Sequence, residues 1–410
     1  MISVREALDR VLEDLPRVGG EQVPLAAARG RVLAAPIRAP RDVPPFRNSA
    51  MDGYAVRSAD VTSASATAPV VLRVLETVGA GSVASQPVAA GTAIRIMTGA
   101  PLPGGADAVV RVEDTADAAD GVAIHAAVGR GNNVREAGED MRAGETVLEA
   151  GRLLRPADIG LLASLGLSML RVARRPRVAI LSTGDELVDL GEPLGPGQIV
   201  NSNAYTLAAA VEEAGAEPIH LGIVRDRPDL IRAAFADAMT ADMALSTGGV
   251  SVGSFDYVRA ILAELGYEER FWKVAQKPGK PLTFGRCGRT PVFGLPGNPV
   301  SSLVCFYLYV LPALRTMLGL DRVHLASAAA TLVEGVRKAP GLTEFVRCSL
   351  QGSPEAYTAR STGTQSSGAL RSLSLGDALI VGPADAVQLE AGARVRVVLL
   401  NAEAVAGPPF

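Results

Sequence analysis

The chain contains few of the residues on which disulfide frameworks and zinc sites depend. Its 410 residues include three cysteines, Cys287, Cys305 and Cys348, and three histidines. The cysteines are widely separated and odd in number, which argues against a disulfide framework or a CxxC metal site. The histidines are scattered and form no zinc-ligand cluster. This composition is typical of a protein in a reducing compartment, so we expect a cytoplasmic location.

The chain also lacks a strong net charge. Forty basic and 43 acidic residues leave a formal charge of −3, so no global field attracts the protein to nucleic acid or to an anionic membrane. We therefore expect neither nucleic acid nor a membrane as a partner. Any anion-binding site has to be built locally.

No stretch reads clearly as a membrane span or a signal peptide. Between Arg289 and Arg315 the chain has no charge, but four prolines and two glycines interrupt it. We interpret it as a short buried strand over 291–295, a turn, and a buried helix from about Val300. The N-terminal 15 residues predict an amphipathic helix, with Ser3 and Glu6 at the spacing of a capping box.

The composition, with 48% hydrophobic residues, 43 glycines and 27 prolines, is typical of a multidomain globular protein with many tight turns. Short β-branched runs between residues 70 and 147 predict a β-rich insert, and helical patterns flank it on both sides. The sequence therefore predicts a discontinuous, helical N-terminal domain (1–48 and 141–172), the insert (49–140), an α/β domain (173–322) and a C-terminal β domain resembling a barrel (323–410). The N-terminal boundaries are approximate because the insert divides one domain.

Strand and helix patterns alternate through the α/β domain, which predicts a central doubly wound, mostly parallel sheet. The stretch MALSTGGVSVGSFDY, residues 243–257, is an apolar strand that ends in a glycine-rich turn before a helical pattern. Glycines allow backbone N–H groups to approach a phosphate, and a helix N-terminus favours negative charge. Taken alone, such a turn is more often a plain connection between a strand and a helix.

Three successive strands of this domain each end in a loop that carries a carboxylate. The acids are Glu186, with its neighbour Asp185, then Asp226, and then Asp256. Each alone is better explained as a helix cap. Because ligands of such sheets bind at the carboxyl ends of the strands, the three together favour a Mg²⁺–phosphate site.

Three further segments offer polar groups for a ligand. The loop that carries Lys273, Lys277 and Lys280 suits a polyanion, with a solvated surface as the alternative. GLPGNPVSS, residues 294–302, places Asn298 and Ser301 at a helix start. The hydroxyl-rich loop over 361–373 can bind oxyanions, and Asp52 lies in a polar turn for which an Asx-type turn is the structural alternative.

Eight motifs occur in an order that resembles one known family. They are NSAMDGYA, IMTGAPLP, REAGED, LSTGDEL, STGGVSVGSFDY, KPGKP, GLPGNPVS and TGTQSSG, and they span nearly the whole chain. The sequence resembles the molybdopterin molybdenumtransferases, the molybdenum insertases of molybdenum-cofactor biosynthesis, which are related to the E domain of gephyrin. Residues Gln365 to Ser367 are a variable-looking version of the family's last motif, so the resemblance supports the C-terminal assignments less than the others.

The resemblance implies an elongated subunit of four parts that forms a homodimer, with the site shared between subunits. It implies that molybdate is inserted into adenylylated molybdopterin with release of AMP, dependent on Mg²⁺ or a similar divalent ion. The upstream adenylyltransferase and recipient molybdoenzymes are candidate partners.

The resemblance also assigns roles to residues. Asp226, Asp256 and Glu186 would hold the metal ion, while Lys277, Lys280, Arg347, Ser301 and Ser366 would hold molybdate. Asp52, Thr98 and Asp140 would complete the catalytic cleft from the N-terminal half. The remaining substrate-binding candidates are Thr183, Gly184, Asp185, Ser246, Gly248, Gly249, Ser251, Gly253, Lys273, Pro296, Asn298 and Pro299.

Two other functions stay open at this stage. A molybdopterin adenylyltransferase would explain the α/β domain but would leave the insert and the C-terminal domain without a role. A non-catalytic pterin-binding scaffold would explain the anion loops, but it gains nothing from a cluster of carboxylates unless a metal ion is also bound.

Overall fold

The description rests on a computed structural model of the chain. It describes residues 1–248, 255–400, 407–408 and 410, apart from the side chains of residues 255–257 and 259. The chain divides into two compact units. The first comprises Met1–Ala35, Ala150–Pro156 and Met169–Phe410, and the second comprises Pro36–Glu149 and Ala157–Ser168. The four domain boundaries proposed above stay a prediction.

A six-stranded sheet forms the centre of the first unit. Its strands run in the order Glu217–Val224, Arg177–Thr183, Met243–Thr247, Thr290–Leu295, Thr283–Cys287 and Tyr267–Trp272. The first four are parallel, and the last two join antiparallel. This arrangement confirms the predicted mostly parallel sheet.

Helices cover both faces of this sheet because its inner strands are apolar on both faces. Val178 and Ile180 pack into the core beneath one face, whereas Ala179 and Leu181 pack beneath the other. The following helices surround the sheet: Val4–Leu12, Ser202–Glu213, Pro228–Ala238, Phe255–Glu264 and the helical segment Pro299–Met317.

The N-terminal helix Val4–Leu12 begins as its sequence predicts. The Glu6 backbone N–H donates to the Ser3 hydroxyl at 3.1 Å, and Val4, Leu8 and Val11 are buried in the core of the first unit. The same unit contains the antiparallel pair Gly20–Pro24 and Met169–Ala173.

The uncharged stretch folds as a core strand and a core helix. In Pro299–Met317, 78% of the most apolar 18-residue window is buried within the chain itself. The segment has the length and composition of a membrane span, but the core helix of a soluble protein has the same properties. A π-helical turn, Phe306–Val310, separates Pro299–Cys305 from Leu311–Met317.

The C-terminal part of the first unit is a closed barrel. Strands Thr343–Gln351, Tyr357–Ser361, Ser327–Leu332, Arg394–Leu399 and Ala378–Gly382 pair in sequence, and the last pairs back with the first. The short strand Gln276–Lys277 lies parallel to the start of Thr343–Gln351. This confirms the predicted barrel, and it places the lysine loop beside it. Short elements complete the first unit: Leu25–Ala27, Leu187–Val188, Ile199–Val200, Val336–Arg337, Gln388–Leu389 and Leu370–Ser374.

The second unit is rich in β-strands, and the segment predicted as the insert (49–140) lies within it. Its six-stranded sheet has the order Ala108–Arg111, Gly53–Val56, Thr92–Ile96, Val70–Val78, Gly121–Ile124 and Thr115–Ala118. Two short pairs join it, Ile37–Arg38 with Thr146–Leu148 and Asn48–Ser49 with Val134–Arg135. The remaining elements are the helix Pro156–Ser164, which belongs to this unit from Ala157 onwards, and the 3₁₀ turns Ser58–Asp60 and Val112–Asp114.

Candidate functional site

Three strand ends meet at the carboxyl edge of the central sheet. Thr183 lies opposite Val224 in the neighbouring parallel strand, and Ser182 lies opposite Thr247 on the other side. The loops that follow these strands therefore begin side by side. Ser246, one of the predicted binding residues, is buried within the third strand.

Two glycine backbones come close together at this edge. Gly248 has φ +86°, and a Cβ on it would lie 2.3 Å from the Thr183 carbonyl oxygen. The Cβ position of Gly297 lies 3.6 Å from the Gly248 Cα. Only glycine fits at position 248, because an L side chain would have both a strained backbone and a clash. The predicted binding residues Gly249, Ser251 and Gly253 lie outside the described residues.

An asparagine that the sequence analysis did not single out connects two of these loops. The Asn203 amide Nδ2 donates to the Thr247 hydroxyl at 2.7 Å and to the Gly297 carbonyl at 2.8 Å. Asn201 caps the same helix and accepts from the Ser182 hydroxyl at 3.0 Å. The sequence signal that could have revealed these residues is the pair of asparagines at a helix start, because asparagine is a favoured N-cap.

Three of the predicted acids lie together in this unit. The Asp226 backbone N–H donates to Asp185 Oδ1 at 3.3 Å, and a Cβ on Gly184 would lie 2.5 Å from Glu186 Oε2. Burial raises the pKa of the Asp226 carboxyl, and the negative charges of Asp185 and Glu186 raise it further. Mutual repulsion of this kind is relieved when a cation binds.

These acids fit a hard divalent cation in their chemistry. Carboxylate oxygens are the ligands that Mg²⁺ prefers. Glu186 and Asp226 both supply them, and the two carboxylates are near enough for the charge of Glu186 to raise the pKa of Asp226. In the described ranges, no group of three or more His, Cys, Asp or Glu side chains is already arranged to hold a metal ion. The side chain of Asp256, the third predicted ligand, lies outside those ranges.

Two buried hydroxyls near this edge have no hydrogen-bond partner among the described residues. They are Thr183 Oγ1 and Ser302 Oγ. Buried polar groups are normally paired, so each is free to bind a ligand or water. The Thr183 hydroxyl lies 3.3 Å from the Cβ position of Gly248, which places it at the glycine turn.

The three predicted lysines have different surroundings. Lys277 Nζ pairs with Glu344 Oε1 at 2.9 Å, and its side chain is half exposed whereas that of Glu344 is buried. Lys273 Nζ lies 3.8 Å from the centroid of the Trp272 ring, a cation–π contact. Lys280 is exposed to solvent. The loop therefore presents Lys277 and Lys280, while Lys273 stacks beside it.

Arg347 has a role that its sequence position did not reveal. Its side chain is fully buried, and its Nε donates to the Ser372 hydroxyl at 2.9 Å. Its terminal nitrogens donate to the carbonyls of Thr364, Gln365 and Ser366 at 3.0 to 3.3 Å. In this conformation Arg347 shapes the hydroxyl-rich loop instead of facing an anion.

The hydroxyl-rich loop and the lysine loop both contact the helix that begins at Pro299. The Val300 N–H donates to the Ser367 carbonyl at 3.2 Å, and the Cβ position of Gly279 lies 3.6 Å from the Ser301 carbonyl. Asn298 is the N-cap residue of this helix, although its side chain makes no capping bond. The candidates Pro296, Pro299, Ser301 and Ser366 therefore belong to one connected region.

The second unit contains its own polar turn. Both the Thr98 N–H and the Thr98 hydroxyl donate to Asp52 Oδ1 at 2.7 Å. These bonds, with the charge of Arg95, lower the pKa of the Asp52 carboxyl. Asp140 is exposed in a loop, and its N–H donates to the Val43 carbonyl at 3.0 Å. Asp52 and Thr98, two of the predicted site residues, are therefore hydrogen-bonded to each other within this unit.

A cavity of about 230 Å³ lies away from the sheet edge. Its lining is mostly apolar, with Glu213, Tyr307 and Arg315 as its polar members. No glycine is among its lining residues, so phosphate chemistry is better served by the glycine turn at the sheet edge.

Comparison with known proteins identifies the family. Residues 2–166 match the MoeA N-terminal region (domain I and II), residues 179–316 match a probable molybdopterin binding domain, and residues 329–400 match the MoeA C-terminal region (domain IV). Molybdopterin molybdenumtransferase 2 of Mycobacterium tuberculosis (strain ATCC 25618 / H37Rv) is 41% identical over 408 residues, which cover 97% of this chain and 99% of that protein. The chain belongs to the molybdopterin molybdenumtransferase family.

Other members of the family are also similar to this chain over nearly its whole length. Molybdopterin molybdenumtransferase of Bacillus subtilis (strain 168) is 38% identical and covers 98% of this chain and 95% of its own. The crystal structure of the molybdopterin biosynthesis moea protein from Pyrococcus horikosii has a TM-score of 0.86 at 33% identity, over 98% of this chain and 100% of that chain. Members of the molybdopterin molybdenumtransferase family are transferases, and the multidomain fold predicted from the sequence is confirmed.

Proposed function

We propose that the protein inserts molybdenum from molybdate into adenylylated molybdopterin and releases AMP. The observation that carries this proposal is the full-length match to curated molybdopterin molybdenumtransferases, which includes the insert and the barrel as well as the α/β domain. Adenylylation of the substrate, release of AMP and dependence on Mg²⁺ are parts of the proposal that the resemblance to the family implies.

The pterin nucleotide would bind at the carboxyl edge of the central sheet. The turn at Gly248 offers backbone N–H groups, the Thr183 hydroxyl is unpaired among the described residues, and Asn203 fixes the neighbouring loop. Backbone donors at a strand–helix turn favour phosphate oxygens. Gly184, Asp185 and Ser246 would contact the rest of the nucleotide from the same edge.

Glu186, Asp226 and Asp256 would hold a divalent cation. When bound, such an ion neutralises charge on the nucleotide phosphates and polarises phosphorus for cleavage of the P–O bond. The carboxylates would act on the phosphates only by holding this cation, because their own negative charge repels phosphate oxygens when no cation is bound. We infer Mg²⁺ because all the proposed ligands are hard oxygen donors.

Molybdate would bind where the lysine loop meets the helix at Pro299. The ammonium groups of Lys277 and Lys280 can form charge-assisted hydrogen bonds with a tetrahedral dianion, and the hydroxyls of Ser301 and Ser366 can donate to it. Lys277 must leave Glu344 or share its ammonium group with the anion. Arg347 would act through the loop that it holds.

Asp52, Thr98 and Asp140 would contribute from the second unit. The two bonds from Thr98 keep the Asp52 carboxyl ionised and fixed in direction. A fixed carboxylate can orient a polar group of the substrate, which is catalysis by positioning.

The two alternatives predict different products. An adenylyltransferase would release pyrophosphate from ATP, and a scaffold would release nothing. The purified protein should release AMP from adenylylated molybdopterin with Mg²⁺, and this release should require molybdate. Pyrophosphate from ATP, or tight binding without turnover, would replace the proposal with the corresponding alternative.

We also infer a homodimer in the cytoplasm, with the upstream adenylyltransferase and recipient molybdoenzymes as candidate partners. Large apolar side chains are exposed in the first unit at Leu190, Leu194 and Ile199, and such clusters favour association. The free, mostly buried cysteines suit a reducing compartment.

A further inference from the structure

A buried amide lies directly beneath the lysine loop. Gln276 has no exposed surface, and its Nε2 donates to the Pro278 carbonyl at 3.0 Å. Its Oε1 accepts a hydrogen bond from the Tyr309 hydroxyl. The amide therefore connects the backbone between Lys277 and Lys280 to the core helix.

The loop packs so closely on this helix that it has little room to shift. Gly279 has φ +95°, and a Cβ on it would lie 2.5 Å from Cys305 Sγ and 2.7 Å from Gln276 Nε2. The Cys305 thiol lies 3.6 Å from Gln276 Nε2 and 3.7 Å from the Gly279 carbonyl. Contact at this range means that the helix surface fixes the path of the loop.

Tyr309 reaches the amide from an irregular part of the helix. It lies in the π-helical turn Phe306–Val310, just before Pro312. Proline in a helix lacks an N–H and clashes with the carbonyl four residues earlier, here Leu308, and a wider turn relieves this conflict. A π turn also rotates its side chains relative to an unbroken α-helix, and in this turn the Tyr309 hydroxyl is directed at Gln276.

The Tyr309 phenol is suited to act as a permanent donor. Its side chain is fully buried, and burial raises its pKa well above the ordinary value. The phenol is therefore neutral at neutral pH and donates its hydrogen bond to the Gln276 amide oxygen. The Gln276 amide consequently keeps one orientation, with its nitrogen towards Pro278.

We propose that Gln276 and Tyr309 are positioning residues for the oxyanion site. They fix the backbone from which Lys277 and Lys280 project, so that the two ammonium groups are placed for molybdate before it arrives. This inference rests on the proposed function, in which these lysines bind the anion. It adds two buried residues that do not themselves contact the anion as determinants of the affinity for molybdate.

Removal of the Tyr309 hydroxyl should selectively weaken the use of molybdate. Tyr309→Phe keeps the ring but leaves Gln276 Oε1 buried without its donor, and loss of one such bond is worth about 1 kcal/mol, or about fivefold in affinity. We expect the KM for molybdate to rise about fivefold, with kcat and the KM for the pterin substrate within about twofold of wild type.

Tyr307→Phe is the matched control. It also removes a tyrosine hydroxyl from the π-helical turn. Tyr307, however, lines the 230 Å³ cavity and is not the residue that bonds to Gln276. We expect both KM values to stay unchanged in this variant. A loss of molybdate affinity equal to that of Tyr309→Phe would overturn the inference, because it would show a general effect of disturbing the helix.

Equilibrium dialysis with molybdate gives a readout independent of turnover. Gln276→Met should weaken binding as Tyr309→Phe does, and the double variant should add little, because the two residues form one network. Additive losses, or unchanged binding in Tyr309→Phe, would overturn the inference alone. Absence of molybdate binding by the folded wild-type protein would overturn the proposed function, and the inference with it.

Discussion

The negative charge of Asp226 is unfavourable for the stability of the metal-free protein but favourable for the binding of a cation. Asp226 is exposed overall, but partial burial of its carboxyl and the charges of Asp185 and Glu186 raise the pKa of that carboxyl, so the native state resists its ionisation. The stability of the metal-free protein should therefore fall as the pH rises through the folded-state pKa of Asp226. The same clustered charge is what makes the site attractive to a cation.

Substitution of this residue should separate stability from function. Asp226→Asn should raise the melting temperature of the metal-free protein by about 1 °C, because it removes like-charge repulsion at an exposed site. It should also lower metal-dependent AMP release by about 100-fold or more. Calorimetry with EDTA and an AMP assay measure the two effects.

Asp229→Asn is the control for this substitution. Asp229 is exposed and pairs with Arg227 at 2.7 Å, three residues beyond the cluster. Its replacement should leave AMP release unchanged. If Asp226→Asn keeps full metal-dependent activity, Asp226 is not a metal ligand.

Arg347, in contrast to Asp226, is a charged residue whose side chain stabilises the fold. Four hydrogen bonds join its guanidinium to the loop over 364–366 and to Ser372. Arg347→Lys should lower the melting temperature by at least about 5 °C, because an ammonium group cannot reproduce this planar set of donors. Differential scanning calorimetry tests this expectation.

Arg396→Lys provides the comparison on the same barrel. Arg396 is exposed on the strand Arg394–Leu399, and exposed substitutions usually change stability by less than about 0.5 kcal/mol. Equal melting temperatures for the two variants would contradict the structural role of Arg347.

The sequence could not reveal this role, because burial depends on contacts that form only in the folded barrel. The motif suggested a cation near an anion site, and residue type alone gives no indication of where a guanidinium points. The partners of Arg347 lie 17 to 25 residues away in the chain. The hydrogen bond between Gln276 and Tyr309 could not be predicted from the sequence for the same reason.

At the scale of elements, the central sheet was the most predictable feature. Apolar runs that end in glycine and carboxylate loops predicted the strands Arg177–Thr183, Glu217–Val224 and Met243–Thr247, and their parallel order followed from the alternation with helices. The π turn Phe306–Val310 was not predictable, because Pro312 signals a break in the helix without saying how the chain accommodates it.

The glycine turn at the end of Met243–Thr247 gives a test at this scale. Gly248→Ala should weaken binding of the pterin nucleotide by at least about tenfold, because its Cβ would lie 2.3 Å from the Thr183 carbonyl and must displace one of the two strand ends. Isothermal titration with the nucleotide substrate measures the loss.

Gly297→Ala is the matched control for this substitution. Its Cβ would meet nothing closer than 3.6 Å, an ordinary van der Waals distance. Binding should stay within about twofold of wild type. Similar losses in both variants would show that the close approach of the Gly248 backbone is not what forms the site.

At the scale of the whole molecule, the exposed apolar side chains of the first unit bear on assembly. Leu190, Leu194 and Ile199 are each more than half exposed, which is unusual for residues of this type in one segment. We predict a mass of twice the 42.3 kDa chain by light scattering.

Substitution of one of these residues tests the surface directly. Leu194→Glu should shift the mass towards the monomer, because it places a charge in an apolar interface. Val83→Glu, at an exposed site in the second unit, should leave the mass unchanged. A wild-type monomer would remove the basis for a site shared between subunits.

The whole chain is also the scale at which the alternatives separate. The α/β part alone fits a nucleotide-transfer enzyme, whereas the matched relatives extend over the insert and the barrel as well. The lysine loop and the hydroxyl-rich loop meet at the helix that begins at Pro299, so the barrel contributes to the proposed anion site. An enzyme that only adenylylates its substrate would have no need of this contribution.

The most direct test is to count molybdenum atoms and AMP molecules in one turnover. The purified protein would be mixed with adenylylated molybdopterin, Mg²⁺ and molybdate, and the AMP released and the molybdenum bound to the pterin would both be quantified. The account predicts one molybdenum atom inserted for each AMP, with neither product formed when molybdate or Mg²⁺ is omitted. AMP release that continues without molybdate, or molybdenum uptake without AMP release, would contradict it.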